Sequence, residues 1–207
     1  MLGIVDYGVG NLRNVVMAFR RLGVAGEVVD TPTGVRQAGA LVLPGVGAFG
    51  DSIGNLRALG LEADLVAAIG DGVPFLGICV GLQLLFEVGE EMGEHRGLGV
   101  LGGRVRRFGA GLKVPHMGWN QIHQARPTAL WKGLPDHDYA YFVHSYYAEP
   151  SDPSVVAATT DYGIDYASAV ARGNLYGIQF HPEKSQDVGA RILRNWCAAA
   201  GLEVREA

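Results

Sequence analysis

A cysteine with glycine two positions away on either side, Gly77-Ile78-Cys79-Val80-Gly81, stands where the apolar run Pro74 to Ile78 meets a helical pattern from about Val80 to Val88. This is the pattern of a nucleophile elbow, with cysteine where a hydrolase would carry serine. The tight turn crowds the positions flanking the nucleophile, which is why they are glycine. A cysteine at a helix N-terminus has its thiolate favoured by the helix dipole. The backbone N–H of Val80 faces the same space and could hold an oxyanion. The plain alternative is a small buried cysteine between a strand and a helix, and the five-residue pattern alone leans that way.

A thiolate needs a base, and the base needs an orienting group. Of the six histidines, His181 stands out, since it ends the apolar run Leu175 to Phe180 and opens His181-Pro182-Glu183. The C-terminal end of a parallel strand is where ligands bind in open α/β sheets. Pro182 stiffens the turn, and Glu183 can accept a hydrogen bond from the imidazole and so fix its tautomer. Read alone, Pro and Glu after a histidine are better explained as a helix start. With the elbow in the same chain the order reverses. The loop Pro44-Gly45-Val46-Gly47-Ala48-Phe49-Gly50 follows a third apolar run. It lacks the lysine and Ser/Thr of a P-loop, so a second oxyanion donor beside the elbow is preferred over phosphate binding or simple turn chemistry.

The remaining histidines carry less. His95 and His137 lie in polar, turn-like contexts, and His144 has no cysteine or carboxylate partner nearby in sequence. No pair has metal-ligand spacing, so neither metal nor cofactor is expected. The aromatic residues Tyr139, Tyr141, Phe142, Tyr146 and Tyr147 read as a packed strand and interface surface. Arg104, Arg106 and Arg107, the one basic cluster, read as a solvated face or as charge offered to a phosphate or an acidic partner.

The elements that must position these groups follow from periodicity. Leu2 to Asp6, Gly26 to Asp30 and Ala40 to Leu43 read as buried strands, and Asn11 to Leu22 as a helix closed by Gly23. One helical region runs from about Gly50 to Ile69. Strands alternating with helices imply a parallel sheet covered on both faces. Beyond Leu98 the runs shorten and alternate: Arg104 to Phe108, Gly118 to Gln124, Tyr139 to Val143, Val155 to Thr160 and Tyr166 to Ala171. These read as added antiparallel strands. A last strand, Leu175 to Phe180, precedes a helix from about Asp187 to Ala200. The fold class is therefore α/β, an open, mostly parallel mixed sheet flanked by helices with added antiparallel strands, in one domain over residues 1–207.

Composition agrees. The 207 residues carry a formal charge of −4 and 48% hydrophobic residues, against both a nucleic-acid binder and a disordered chain. Two cysteines are too few for a secreted disulfide scaffold. The N-terminus lacks the pattern of a secretory signal, and no apolar stretch is long enough to cross a membrane, so a soluble cytoplasmic protein is expected. The 31 glycines show no three-residue period. Many stand at strand ends beside the candidate reacting groups.

With these motifs in place, the chain resembles the class I (triad) glutamine amidotransferases over nearly its whole length. Within them it is similar to the glutaminase subunits of histidine biosynthesis. The resemblance rests on Asp6 to Leu12, Pro44 to Phe49, Gly77 to Gln83, Val114 to Asn120, Tyr141 to Tyr147 and Gln179 to Ser185. It implies that Cys79 attacks the glutamine side-chain amide, His181 shuttles the proton and Glu183 holds His181. It implies that Val80 N–H and a peptide of the Gly45-Val46-Gly47 loop stabilise the oxyanion. Gln83, Ser145 and Tyr146 would bind glutamine, with Glu91 pairing its α-ammonium. The implied partner is a (β/α)8-barrel cyclase, bound as a heterodimer, that uses the ammonia to convert PRFAR to imidazole glycerol phosphate and AICAR. Asn11, Trp119 and Tyr141 would contact it. The alternatives are a glutaminase for another synthase, a free-standing cysteine hydrolase or peptidase, and an interaction subunit with a relic site.

Overall fold

The computed structural model describes residues 1–204. In chain order the main elements are β1 (Leu2–Val5), α1 (Leu12–Arg21), β2 (Gly26–Val29), α2 (Pro32–Gln37), β3 (Ala40–Leu43), α3 (Phe49–Ala58), α4 (Glu62–Gly70), β4 (Phe75–Ile78) and α5 (Val80–Gln83). Then come β5 (Phe86–Gly89), β6 (His95–Arg96), β7 (Leu101–Arg107), β8 (His116–Gln124), β9 (Asp138–His144) and β10 (Tyr146–Pro150). The chain closes with β11 (Val156–Asp161), β12 (Asp165–Arg172), β13 (Leu175–Ile178) and α6 (Gln186–Ala199).

The strands form one mixed sheet whose path runs β2-β1-β3-β4-β13-β12-β10-β7-β5-β6. The first five members pair in parallel. Every residue of β1, β3 and β4 is buried. That is the burial expected of short continuous apolar runs in a sheet covered on both faces. α1 turns Val15, Val16 and Phe19 inward. The Phe19 ring meets Trp196 of α6 edge-on at 5.8 Å, tying the first helix to the last. Off the main path, β12 pairs β11, β11 pairs β8, and β8 pairs β9. Phe108 packs at the centre of an aromatic cluster that includes His116, His144, Tyr147 and Tyr166.

Several expected elements differ. The region Gly50 to Ile69 is two helices, broken where Gly60 takes φ +69° and its N–H closes on the Arg57 carbonyl. The helix expected over Val80 to Val88 stops at Gln83, and Phe86–Gly89 is a strand parallel to β7. Long-range strand pairing overrides the local helical spacing there. It also means that the second half is not purely antiparallel. α2 was not expected, although Thr31-Pro32 carries its signal: Thr31 Oγ1 accepts from Gly34 N–H at 3.2 Å and proline opens the helix. β10 was not separated from the aromatic segment before it. The run Leu175 to Phe180 ends as a regular strand at Ile178, although Gln179 N–H still donates to the Ser168 carbonyl of β12 at 2.9 Å.

Candidate active site

β4 and β13 are neighbours in register, with Gly77 opposite Gly177 and Ile78 opposite Ile178. Cys79 follows the first strand and His181 lies three residues beyond the second, so one ladder delivers both side chains to the same edge. Cys79 holds φ 54° and ψ −110°, the strained backbone of an elbow. Its N–H donates to the Ile178 carbonyl at 2.8 Å, pinning the turn to β13. A Cβ on Gly77 would lie 2.6 Å from the Gly81 carbonyl oxygen, and one on Gly81 would collide with the Leu43 carbonyl. Both glycines are therefore required by contact with backbone.

His181 Nδ1 and Glu183 Oε1 are 2.7 Å apart, and both side chains are buried. The same Oε1 accepts from Asn11 Nδ2 at 2.6 Å. The turn that carries His181 is clamped to β9. His181 N–H donates to the Tyr141 carbonyl at 2.9 Å, while Ser185 Oγ accepts from Tyr141 N–H at 3.0 Å and donates to the His181 carbonyl at 2.7 Å. Burial works against a charged imidazole, but the neighbouring Cys79 sulfur and the Glu183 carboxylate outweigh it, and the His181 pKa is raised. Burial likewise opposes ionised Glu183, but its hydrogen bond and charge interaction with His181 hold the carboxyl below its usual value. The pair is thus imidazolium with carboxylate. Nε2 of His181 is buried on the side of Cys79, so the imidazolium proton it carries is the one that can pass to a reacting group.

A cavity of about 460 Å³ opens over these groups, lined by Cys79, Val80, Gln83, Glu91, Ser145, Tyr146 and His181, with Val46, Gly47 and Ala48 on the loop side. Most of the expected site is therefore brought together. Gly45 is the exception: it lies behind the cavity wall, against Val80, Gly81 and the Tyr7 hydroxyl. Gln83 is held by the Tyr146 carbonyl at 2.9 Å and Gln179 Oε1 at 3.1 Å, both accepting from its Nε2. An amide nitrogen has two N–H donors, so a ligand can be met by Gln83 only through its carbonyl oxygen. Glu91 Oε2 accepts from Phe49 N–H at 2.8 Å, at the start of α3.

Sequence reasoning missed Gln179, whose Nε2 stands 3.6 Å from Cys79 Sγ as a donor. It also missed Lys184, which lines the cavity with Nζ 5.6 Å above the Tyr141 ring. Of the residues assigned to a partner surface, Trp119 is 47% exposed and meets the half-buried Tyr141 edge-on at 6.0 Å. Asn11 instead turns its amide onto Glu183. Arg104 and Arg106 are paired, with Glu90 at 2.6 Å and Glu149 at 3.2 Å. Away from the cavity, the fold gathers the exposed His123, Asp136 and His137, with His123 Nδ1 2.9 Å from Asp136 Oδ2, a cluster that sequence spacing does not reveal.

A cysteine on a strained elbow, an imidazole–carboxylate pair and free N–H groups at a helix start form a set able to cleave an amide through a covalent intermediate. The chain belongs to the class-I glutamine amidotransferases: that family matches residues 3–200. It is therefore a glutamine amidotransferase. More narrowly, it is similar to the "Imidazole glycerol phosphate synthase subunit HisH" of Syntrophotalea carbinolica, 53% identical over 203 residues that cover 95% of this chain and 98% of the relative. The protein of the same name from Desulfitobacterium hafniense is 50% identical over 196 residues, covering 95% and 93%. In fold, a solved glutamine amidotransferase superposes with a TM-score of 0.77 at 23% identity, over 97% of this chain and 99% of its own.

Proposed function

We propose that this chain is the glutaminase subunit of imidazole glycerol phosphate synthase, hydrolysing L-glutamine to glutamate and ammonia. The observation that carries the reading is the convergence of Cys79 and His181, the latter held by Glu183, on one cavity that Gln83, Glu91, Ser145 and Tyr146 also line. Half-identity to HisH subunits over nearly the whole chain supports the synthase assignment.

The Cys79 thiolate attacks the side-chain carbonyl carbon of glutamine. The oxyanion is met by Val80 N–H, which as the first helical N–H has no intrahelical acceptor, and by a peptide of the Val46-Gly47 segment. The His181 imidazolium gives its proton to the leaving amine, the C–N bond breaks, and ammonia departs from a γ-glutamyl thioester. Neutral His181 then takes a proton from water as that water attacks the thioester, and glutamate leaves as Cys79 regains its starting state. Glu183 keeps the imidazole in one tautomer throughout.

Ammonia released to solvent would be lost as ammonium, so the subunit acts docked in a heterodimer on a (β/α)8-barrel cyclase. The cyclase uses the ammonia on PRFAR to give imidazole glycerol phosphate and AICAR in the cytoplasm. Trp119 and Tyr141 lie on the docking face. The test is a coupled assay with the cyclase. Cys79→Ala should abolish glutamine-dependent synthesis and spare synthesis from added ammonium. Loss of both activities would make the cysteine structural, and activation only by a different synthase would overturn the assignment.

A further inference from the structure

Four buried or half-buried groups from three different strands form a hydrogen-bonded chain that ends beneath the glutamine site. Asn120 Nδ2 lies 3.3 Å from His116 Nε2, and His116 Nδ1 lies 3.2 Å from the Tyr166 hydroxyl. That hydroxyl lies 3.2 Å from His144 Nε2, and His144 Nδ1 lies 2.8 Å from the Tyr146 carbonyl. The same carbonyl accepts from Gln83 Nε2 at 2.9 Å.

The direction of every link follows from the last one. A carbonyl only accepts, so His144 Nδ1 carries the hydrogen. Burial pushes His144 down to about 3 and His116 down to about 4, so both rings are neutral at neutral pH. A neutral imidazole has one N–H, so His144 Nε2 must accept, and the donor that reaches it is Tyr166. The Thr160 hydroxyl, which also interacts with Tyr166, already donates to the Gln121 carbonyl at 2.9 Å. With its proton committed to His144, the Tyr166 oxygen accepts from His116 Nδ1–H. His116 Nε2 is then bare and accepts from Asn120. The His116 ring is fixed in place between Tyr162 at 4.0 Å and Phe142 at 5.0 Å, stacked on both.

We infer that Tyr166, acting through His144, is a positioning residue for glutamine: the one-way chain from Asn120 to the Tyr146 carbonyl fixes the acceptor that holds Gln83. The inference rests on reading the cavity as the glutamine site. Without the phenol proton, His144 Nε2 has no donor, the ring is tethered at one end only, and the Tyr146 carbonyl, though its strand stays paired with β7, is less firmly oriented toward Gln83. Gln83 and the Ser145-Tyr146 segment then meet glutamine less well, whereas Cys79, His181 and Glu183 keep their own contacts. The deficit therefore belongs in KM more than in kcat.

Two measurements test this on the full chain in complex with its cyclase. Imidazole ¹⁵N spectra of the wild type at pH 7.5 should show His116 and His144 neutral and protonated on Nδ1. Protonation on Nε2, or a charged ring, overturns the chain's direction. Tyr166→Phe should raise the glutamine KM about fivefold, the effect of one lost hydrogen bond, with kcat within about twofold of wild type. A merely structural role would lower the amount of active enzyme and leave KM in place, and that result overturns the inference while leaving the site reading intact. A wild type that makes no glutamate even with the cyclase would bring down the site reading, and this inference with it.

Discussion

Asn11 and Glu183, 172 residues apart, meet in a hydrogen bond of 2.6 Å from Asn11 Nδ2 to the carboxylate oxygen that also holds His181. Asn14 Nδ2 donates to Asn11 Oδ1 at 2.7 Å and so fixes which end of the Asn11 amide faces the acid. The first loop of the chain thereby supports the carboxylate that holds His181. A hydrogen bond to a charged group contributes about 1.5–3 kcal/mol, so Asn11→Ala should lower kcat by about tenfold or more. Steady-state kinetics on glutamine should show KM unchanged. A rise in KM with normal kcat would move Asn11 to the substrate or partner side of the site.

Gln179 donates to the Cys79 sulfur, and its carbonyl oxygen accepts from Gln83. Gln179→Met keeps the volume and removes the donor. Alkylation of Cys79 by a small neutral reagent should slow about tenfold at neutral pH, because a charge-assisted hydrogen bond to the thiolate is lost. An unchanged alkylation rate would show that the amide does not stabilise the thiolate.

Gly81 packs its Cα against the Leu43 carbonyl. Gly81→Ala must push the elbow away from β3, and overpacking of this kind costs about 1–3 kcal/mol. Chemical denaturation should register that loss, and glutaminase activity should fall more than the unfolded fraction accounts for. A fully stable and active alanine variant would mean that the elbow has slack the contacts do not show.

His116 and His144 are both lowered by burial, to about 4 and about 3. In the unfolded chain they titrate near their ordinary 6.5, so between about pH 6 and pH 4 the unfolded state binds up to two more protons than the native state. Stability must fall as pH falls through that window. His181 has the opposite sign: its raised pKa gives stability fully present below 6.5 and lost as pH rises through the raised value, so it cannot offset the acid loss. Denaturation midpoints at pH 7.0, 6.0 and 5.0 should drop steepest over the last interval, and a flat profile would refute the assignment of two neutral buried histidines.

The proposed triad was legible because each of its parts is local in sequence. Cys79 stands between glycines at a strand end, and His181 and Glu183 are two residues apart after another apolar run. The parallel half of the sheet was legible for the same reason, its strands being short unbroken apolar runs. What stayed hidden depends on contacts between distant segments. Phe86–Gly89 becomes a strand only because β7 pairs with it. His144, set aside for want of a nearby partner in sequence, finds one in Tyr166 of another strand, whose hydroxyl also meets His116. Asn11 looked like a surface amide because nothing in its own segment shows that Glu183 lies within reach.

Cys79 and His181, the proposed nucleophile and base, follow the ends of two adjacent strands in register, β4 and β13. Strand-to-strand hydrogen bonds are made by main chain alone and do not depend on which side chains the strands bear. The spacing between thiol and imidazole is therefore inherited from a ladder that tolerates wholesale sequence change, provided the turn glycines stay small. That accounts for a fold retained at 23% identity. It also leaves the loops around the ladder free to change without moving Cys79 relative to His181.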